Sequence, residues 1–173
     1  GSSLSGQCSS EDVLIVCNDG FKKMEVIDDG KALKCECGVI GSDANDLLKP
    51  YNRKIGPDPA TLATALVGGI LNNNSSGMCC GTAQNSYKTI RSIRVVLLDG
   101  SILDTSDQKS IDQFLKEKPQ MVEDILQLRK DILADEELTH LIHHKYKIKN
   151  TTGYGLNSLV DFEDIIDIIN HLF

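Results

Sequence analysis

Residues Gly68-Gly69-Ile70-Leu71-Asn72-Asn73-Asn74-Ser75-Ser76-Gly77-Met78 form a run of small and amide side chains with glycines at both ends. Such residues add little apolar area to a core but carry many hydrogen-bonding groups. Short or missing side chains let the polar spine of a ligand reach the main chain, and free backbone N–H groups can face phosphate oxygens. A second segment of this kind, Gly1-Ser2-Ser3-Leu4-Ser5-Gly6-Gln7, opens the chain. Together the two could grip a pyrophosphate and an adjoining ring from two sides. The competing reading is that Gly, Ser and Asn simply build turns, and composition alone leaves both open.

Other chemistry is sparse. No G-x-G-x-x-G follows a strand pattern and no G-x-x-x-x-G-K-[ST] occurs, which excludes the Rossmann fingerprint and the P-loop. His140, His143 and His144 share one predicted helix, and 140 and 144 share a face. Without further converging ligands or an H-E-x-x-H motif they read as a solvated face, so no metal site is expected. Lys145, Lys147 and Lys149 form a basic run that leads into a polar turn. Tyr87 and Tyr154 follow small polar segments and could either stack on a ring or pack. The acid pairs Asp28-Asp29, Glu136-Glu137 and Glu163-Asp164 fall at turns or helix starts, where they cap or complement the dipole. No nucleophile triad is visible, so no catalytic residue is assigned.

Six cysteines stand at 8, 17, 35, 37, 79 and 80. No C-x-x-C spacing occurs, Cys79-Cys80 is a poor framework pair, and Cys35 and Cys37 would share one side of a strand. Reduced thiols in a cytoplasmic protein are the expectation, with any membrane association coming through the full-length protein. The chain has 173 residues, 40 % of them apolar, and a formal net charge of −7. No apolar run reaches membrane-spanning length. The acidic balance argues against nucleic-acid binding, which needs a basic field. An anionic ligand must therefore be held by local donors. The chain starts without Met and ends as an apolar helical pattern finishes, so a fragment of a larger protein is expected.

The elements that must position these residues divide the chain. Val13–Cys17 is a continuous apolar run suited to a buried strand. Lys23–Ile27 and Ala32–Cys37 flank Asp28-Asp29-Gly30-Lys31, and Ile93–Leu98 and Ser101–Leu103 flank Asp99-Gly100, which predicts two hairpins. Between them, Asp58 can cap a helix with Pro59 at its first position, running through Ala60–Val67 and ending at Gly68-Gly69. Beyond Asp107, Ser110–Leu115, Gln120–Leu133 and Glu136–Lys145 read as helices. Met121, Ile125, Leu128 and Ile132 form one apolar stripe. Asp161 is expected to cap a last amphipathic helix with Phe162, Ile165, Ile166, Ile169 and Leu172. The pattern is α+β, an antiparallel sheet flanked by helices.

Several segments, in order along the chain, resemble the FAD-linked D-lactate dehydrogenases, flavoproteins of the vanillyl-alcohol oxidase type. They are Gly1–Gln7, Gly56-Pro57-Asp58-Pro59-Ala60-Thr61, Gly68-Gly69 through Gly77, Leu98-Asp99-Gly100, Leu103-Asp104-Thr105, and Lys149-Asn150-Thr151-Thr152-Gly153-Tyr154-Gly155-Leu156. The resemblance implies the second lobe of an FAD-binding domain, with residues 1–105 as pyrophosphate loop and sheet lobe. Residues 106–148 would be a helical insertion, and 149–173 a polar turn and final helix.

It also implies FAD on Gly1, Ser2, Ser3, Leu4, Ser5, Gly6 and Gln7. Pro57, Asp58, Thr61, Gly68, Gly69, Asn74, Ser75 and Gly77 would line the rest of the flavin site. Lys149 and Thr152 would lie toward the substrate. Relatives with Arg before this Lys can hold a carboxylate bidentately, whereas Ile148 stands there in this chain. The implied reaction takes a hydride equivalent from the α-carbon of a 2-hydroxy acid such as D-lactate and passes electrons to an unidentified acceptor. In the family, flanking domains supply the rest of the adenine site, the general base and a metal site. A chain without them would be inactive alone. The alternative from another class is a non-catalytic nucleotide-binding or interaction module on the same fold.

Overall fold

The computed structural model describes residues 9–17, 19–150 and 154–172. The chain divides into two compact units, Gly1–Lys88 and Thr89–Asn150 with Tyr154–Phe173. The segment 106–148, expected as an insertion, falls within the second unit.

In the first unit, β1 (Met24–Ile27) pairs antiparallel with β2 (Ala32–Cys35), Ile27 opposite Ala32. The predicted turn joins them. Asp28 and Asp29 both have φ of 52° and Gly30 has 84°, and Lys31 N–H closes the turn on Asp28 O at 3.1 Å. Asp tolerates the left-handed region because its short polar side chain bonds locally. Gly30 is required twice, since a Cβ there would also meet Tyr51 Cβ at 2.5 Å.

α1 (Gly41–Leu48) follows, then a 3-10 turn (Lys49–Tyr51), α2 (Val67–Asn72) and a short α3 (Ser86–Thr89). Val39, Ala44 and Val67 are buried together, with Met24, Leu33, Cys35, Ile55 and Leu71 packed around them. This core sits between the first hairpin and the starts of both longer helices.

Two expectations fail here. Val13–Val16 is exposed (88, 56, 76 and 66 %) and is not a strand. Among the described residues no ladder pairs it, and an apolar run without a neighbouring strand has nothing to bury it. The helix expected over Ala60–Val67 is instead a series of turns, and the helix begins at Val67. The reason is competition for carbonyls. Leu62 O and Ala65 O accept from Ser42 N–H and Gly41 N–H, each at 3.0 Å. Those are orphan donors of the first turn of α1, so the carbonyls serve that helix. Gly68 and Gly69 consequently open α2 rather than end a helix.

In the second unit, β3 (Arg94–Val96) pairs antiparallel with β4 (Ile102–Asp104) across a turn where Gly100 has φ of 82°. The antiparallel pairing predicted from sequence thus takes the form of two separate two-stranded sheets among the described residues. Five helices follow: α4 (Gln108–Glu117), α5 (Pro119–Ala134), α6 (Glu136–Lys145), α7 (Ser158–Asp161) and α8 (Ile165–Leu172). Asp107 and Asp135 cap α4 and α6 through their side chains, and Pro119 opens α5.

Leu103, Phe114 and Ile169 form one core, and Ile132, Ile142, Leu159 and Ile168 another. Ile125 packs against both. Leu128 leaves the predicted stripe and is 48 % exposed, while Val122 packs in the core. Two polar contacts fix α8 and its approach. The Thr105 hydroxyl donates to Asn170 Oδ1 at 2.6 Å, and Arg129 Nε donates to Phe162 O at 2.8 Å. At the hairpin turn, Lys118 pairs with Asp99 and, as the main cause, holds that carboxyl well below the usual range.

The cap of α8 differs from the expected one. Asp164 Oδ1 accepts from Ile166 N–H at 2.8 Å and Asp167 N–H at 3.1 Å, whereas Asp161 accepts from Asn157 Nδ2 at 3.2 Å. Replacing Asp164 by Ala should cost about 1 kcal/mol in urea unfolding, as for a lost N-cap. Asp161→Ala should cost measurably less. The reverse order would contradict this cap assignment.

Candidate cofactor site

The small-residue segment is built on the first unit and begins at the first turn of α2. The leading N–H groups of an α-helix have no partner inside it. In α2, Val67 N–H donates to Val39 O at 2.7 Å and Gly68 N–H to Cys37 O at 3.0 Å. Gly68 also lies against that turn, where a Cβ would meet Cys37 Cβ at 2.7 Å. Gly69 differs. It is exposed, and a Cβ there would meet nothing within 4 Å.

The chain then leaves the helix through Asn74, which has φ of 40°. Asn74 N–H donates to Leu71 O and Ser75 N–H to Ile70 O, both at 2.9 Å. The Asn74 side chain is used inside the unit: its Oδ1 accepts from Tyr87 N–H at 3.1 Å. The Ser86 hydroxyl donates to Ile70 O at 3.2 Å. Residues 85–87 therefore support the segment from behind, and Tyr87 is buried as packing.

Asp58 and Gly77 fix the far end. Cys80 N–H donates to Asp58 Oδ1 at 3.0 Å, and Gly77 N–H donates to Cys80 Sγ at 3.1 Å. A Cβ on Gly77 would lie 1.8 Å from Asp58 O, so only glycine fits. Hydrogen bonds from the Cys80 thiol, and then from its N–H, hold the Asp58 carboxyl below its ordinary range. Sequence reasoning missed Cys80, because an adjacent Cys79-Cys80 pair gives no spacing signal.

Pro57 is buried beside this clamp and Thr61 is exposed. Lys149 is exposed in the second unit. The expected pyrophosphate segment, Gly1–Gln7, and Thr152 lie outside the described residues. His140, His143 and His144 are exposed along α6, and among the described residues no group of three or more metal-ligating side chains converges. No helix among the described residues is long and apolar enough to cross a membrane.

These residues fit an extended dinucleotide. The segment offers backbone where side chains are absent, an open helix-start position at Gly69, and a shape held by internal hydrogen bonds. The N–H groups of Val67, Gly68, Asn73, Asn74, Ser75 and Gly77 are committed within the unit, so what the segment offers a ligand is close approach of the main chain at Gly69.

Comparison with known proteins agrees. The FAD binding domain family matches residues 1–106, and the chain belongs to it; FAD is the cofactor. The chain is similar to the D-2-hydroxyglutarate dehydrogenase of Haemophilus influenzae, 31 % identical over 80 residues, which is 46 % of this chain and 8 % of that protein. It is also similar to the Escherichia coli enzyme of that name, 27 % identical over 106 residues, 61 % of this chain and 10 % of that protein. The Pantoea ananatis enzyme is 26 % identical over 106 residues with the same coverage. The chain thus spans about a tenth of the length of the curated relatives it matches. No solved structure matches it significantly.

The two glycines should respond oppositely to a methyl group. Gly77→Ala should lose roughly 1–3 kcal/mol in denaturant unfolding, as overpacking does. Gly69→Ala should gain up to about 1 kcal/mol from helix propensity. Equal effects would contradict the geometry.

The Asp58 clamp should also give a pH signature. A carboxylate whose folded pKa is depressed contributes stability that is present above its unfolded pKa, about 4, and lost as pH falls through the folded value. The advantage of the wild type over Asp58→Asn should therefore shrink in urea unfolding as pH drops below about 4. An advantage that does not change with pH would contradict the clamp.

Proposed function

We propose that this member of the FAD binding domain family is the cofactor-holding part of a dehydrogenase that oxidises a D-2-hydroxy acid to the 2-oxo acid. The named activity of its relatives supports that class and puts D-2-hydroxyglutarate ahead of D-lactate as substrate. The observation that carries the reading is the coincidence of the family match with the clamped small-residue segment and its open Gly69. FAD, when bound, would supply the two-electron acceptor for the substrate α-carbon.

The chain's own residues hold and shape. Gly69 presents main chain to the cofactor near the start of α2, Gly68 lets that turn sit against Cys37, and Ser75 continues the wall. Asp58, Asn74 and Gly77 act mainly through position, because their polar groups are committed to Cys80 and Tyr87. Pro57 and Thr61 flank the clamp. Gly1–Gln7 takes the pyrophosphate. Lys149 and Thr152 lie on the substrate side, with Ile148 offering no guanidinium for a second carboxylate contact. The proton acceptor and the electron acceptor's docking site belong to other parts of the enzyme.

The test is anaerobic reduction of the full-length flavoprotein, followed at its visible flavin band. D-2-Hydroxyglutarate should bleach the band, D-lactate more slowly, and the L enantiomers should not. Bleaching by dithionite but by no D-2-hydroxy acid would overturn the reading.

A further inference from the structure

Two thiols meet beneath the first turn of α2. Cys17 and Cys37 are both free, Cys17 half-buried and Cys37 exposed, and the two thiols are near enough to act on each other electrostatically. Their backbones are held together as well. Gly38 N–H donates to Phe21 O at 2.9 Å, and a Cβ on Gly38 would lie 2.2 Å from Cys17 O. Of the remaining described cysteines, Cys79 is free and exposed beside Cys80, and the other two are engaged. Cys35 packs in the first-unit core, and Cys80 is tied to Gly77 and Asp58.

We propose that Cys17 and Cys37 are a modification site, closing reversibly into an intramolecular disulfide when the protein meets a low-molecular-weight disulfide such as oxidised glutathione. Two exchanges complete the step. The Cys17 thiolate attacks the glutathione disulfide, forming a mixed disulfide and releasing one glutathione. Cys37, as thiolate, then attacks the Cys17 sulfur and expels the second. Two cysteine thiols become one disulfide, one glutathione disulfide becomes two thiols, and the cysteine protons end on the released glutathiones.

Burial, and then the charge of Cys17, push the Cys37 thiol up. A thiol held up in this way is the slower nucleophile, so Cys17 attacks first. The bond joins the segment before β1 to the turn whose Cys37 carbonyl anchors Gly68 N–H. The inference does not depend on the substrate or on FAD.

The experiment treats the purified full-length protein with excess oxidised glutathione, then alkylates and digests it without reductant. Glu-C with trypsin cuts after Glu11, Glu36 and Arg53, separating Cys8 from Cys17, Cys35 from Cys37, and Cys37 from Cys79-Cys80. Mass spectrometry should find Cys17 and Cys37 peptides joined, and dithiothreitol should separate them. In Cys37→Ser, Cys17 should instead keep the first glutathione as a mixed disulfide. Cys17 or Cys37 joined to any other cysteine, or both still alkylated as free thiols, would overturn the proposal.

Discussion

A main-chain carbonyl leaves no room for a side chain at Gly77, and much of the candidate site depends on that constraint. Asp58 O lies 1.8 Å from where a Cβ would be, while the Asp58 carboxylate takes Cys80 N–H from the same side. Two stretches about twenty residues apart are thereby pinned at both backbone and side chain. The segment between α2 and Cys80 cannot splay without losing a buried thiol contact and a charge-assisted hydrogen bond, the stronger kind. A binding wall made of small residues needs such outside support, because Gly, Ser and Asn bring little apolar packing of their own.

Helix α1 supplies the other half of the support. Its first N–H groups draw on Leu62 O and Ala65 O, which blocks a helix over 60–66 and delays α2 until Val67. That delay decides where the helix start falls. Had the helix begun at Pro59, Gly68 and Gly69 would sit at its carbonyl end, a poor place for an anion. Starting at Val67, they sit at the N–H end, with Gly68 N–H taken by Cys37 O and Gly69 left open.

Much of this was legible in the residues. The turn at Asp28-Asp29-Gly30 demanded left-handed backbone and has it. The α6 bounds follow from Asp135 and the acid pair after it. The family and its cofactor could be read from motifs in order. What escaped was long-range. No local pattern announces that carbonyls at 62 and 65 will serve α1, or that Cys80 will hold Asp58. The apolar run at 13–16 read as a buried strand because periodicity cannot say whether a neighbouring strand exists to cover it. Asp161 and Asp164 both suit a cap by type, and only the chain's path into α8 chooses between them.

The position that separates cofactor holding from mere loop structure is Gly69, where an added Cβ meets no protein atom within 4 Å. FAD titration of the full-length protein, followed by flavin fluorescence quenching, compares the wild type with Gly69→Leu. The variant should keep the thermal midpoint of the FAD-free protein, because Leu suits a helix and Gly69 is exposed. It should bind FAD at least about tenfold more weakly, equivalent to about 1.4 kcal/mol. Unchanged FAD affinity in a fully folded variant would contradict the placement of the cofactor on this segment.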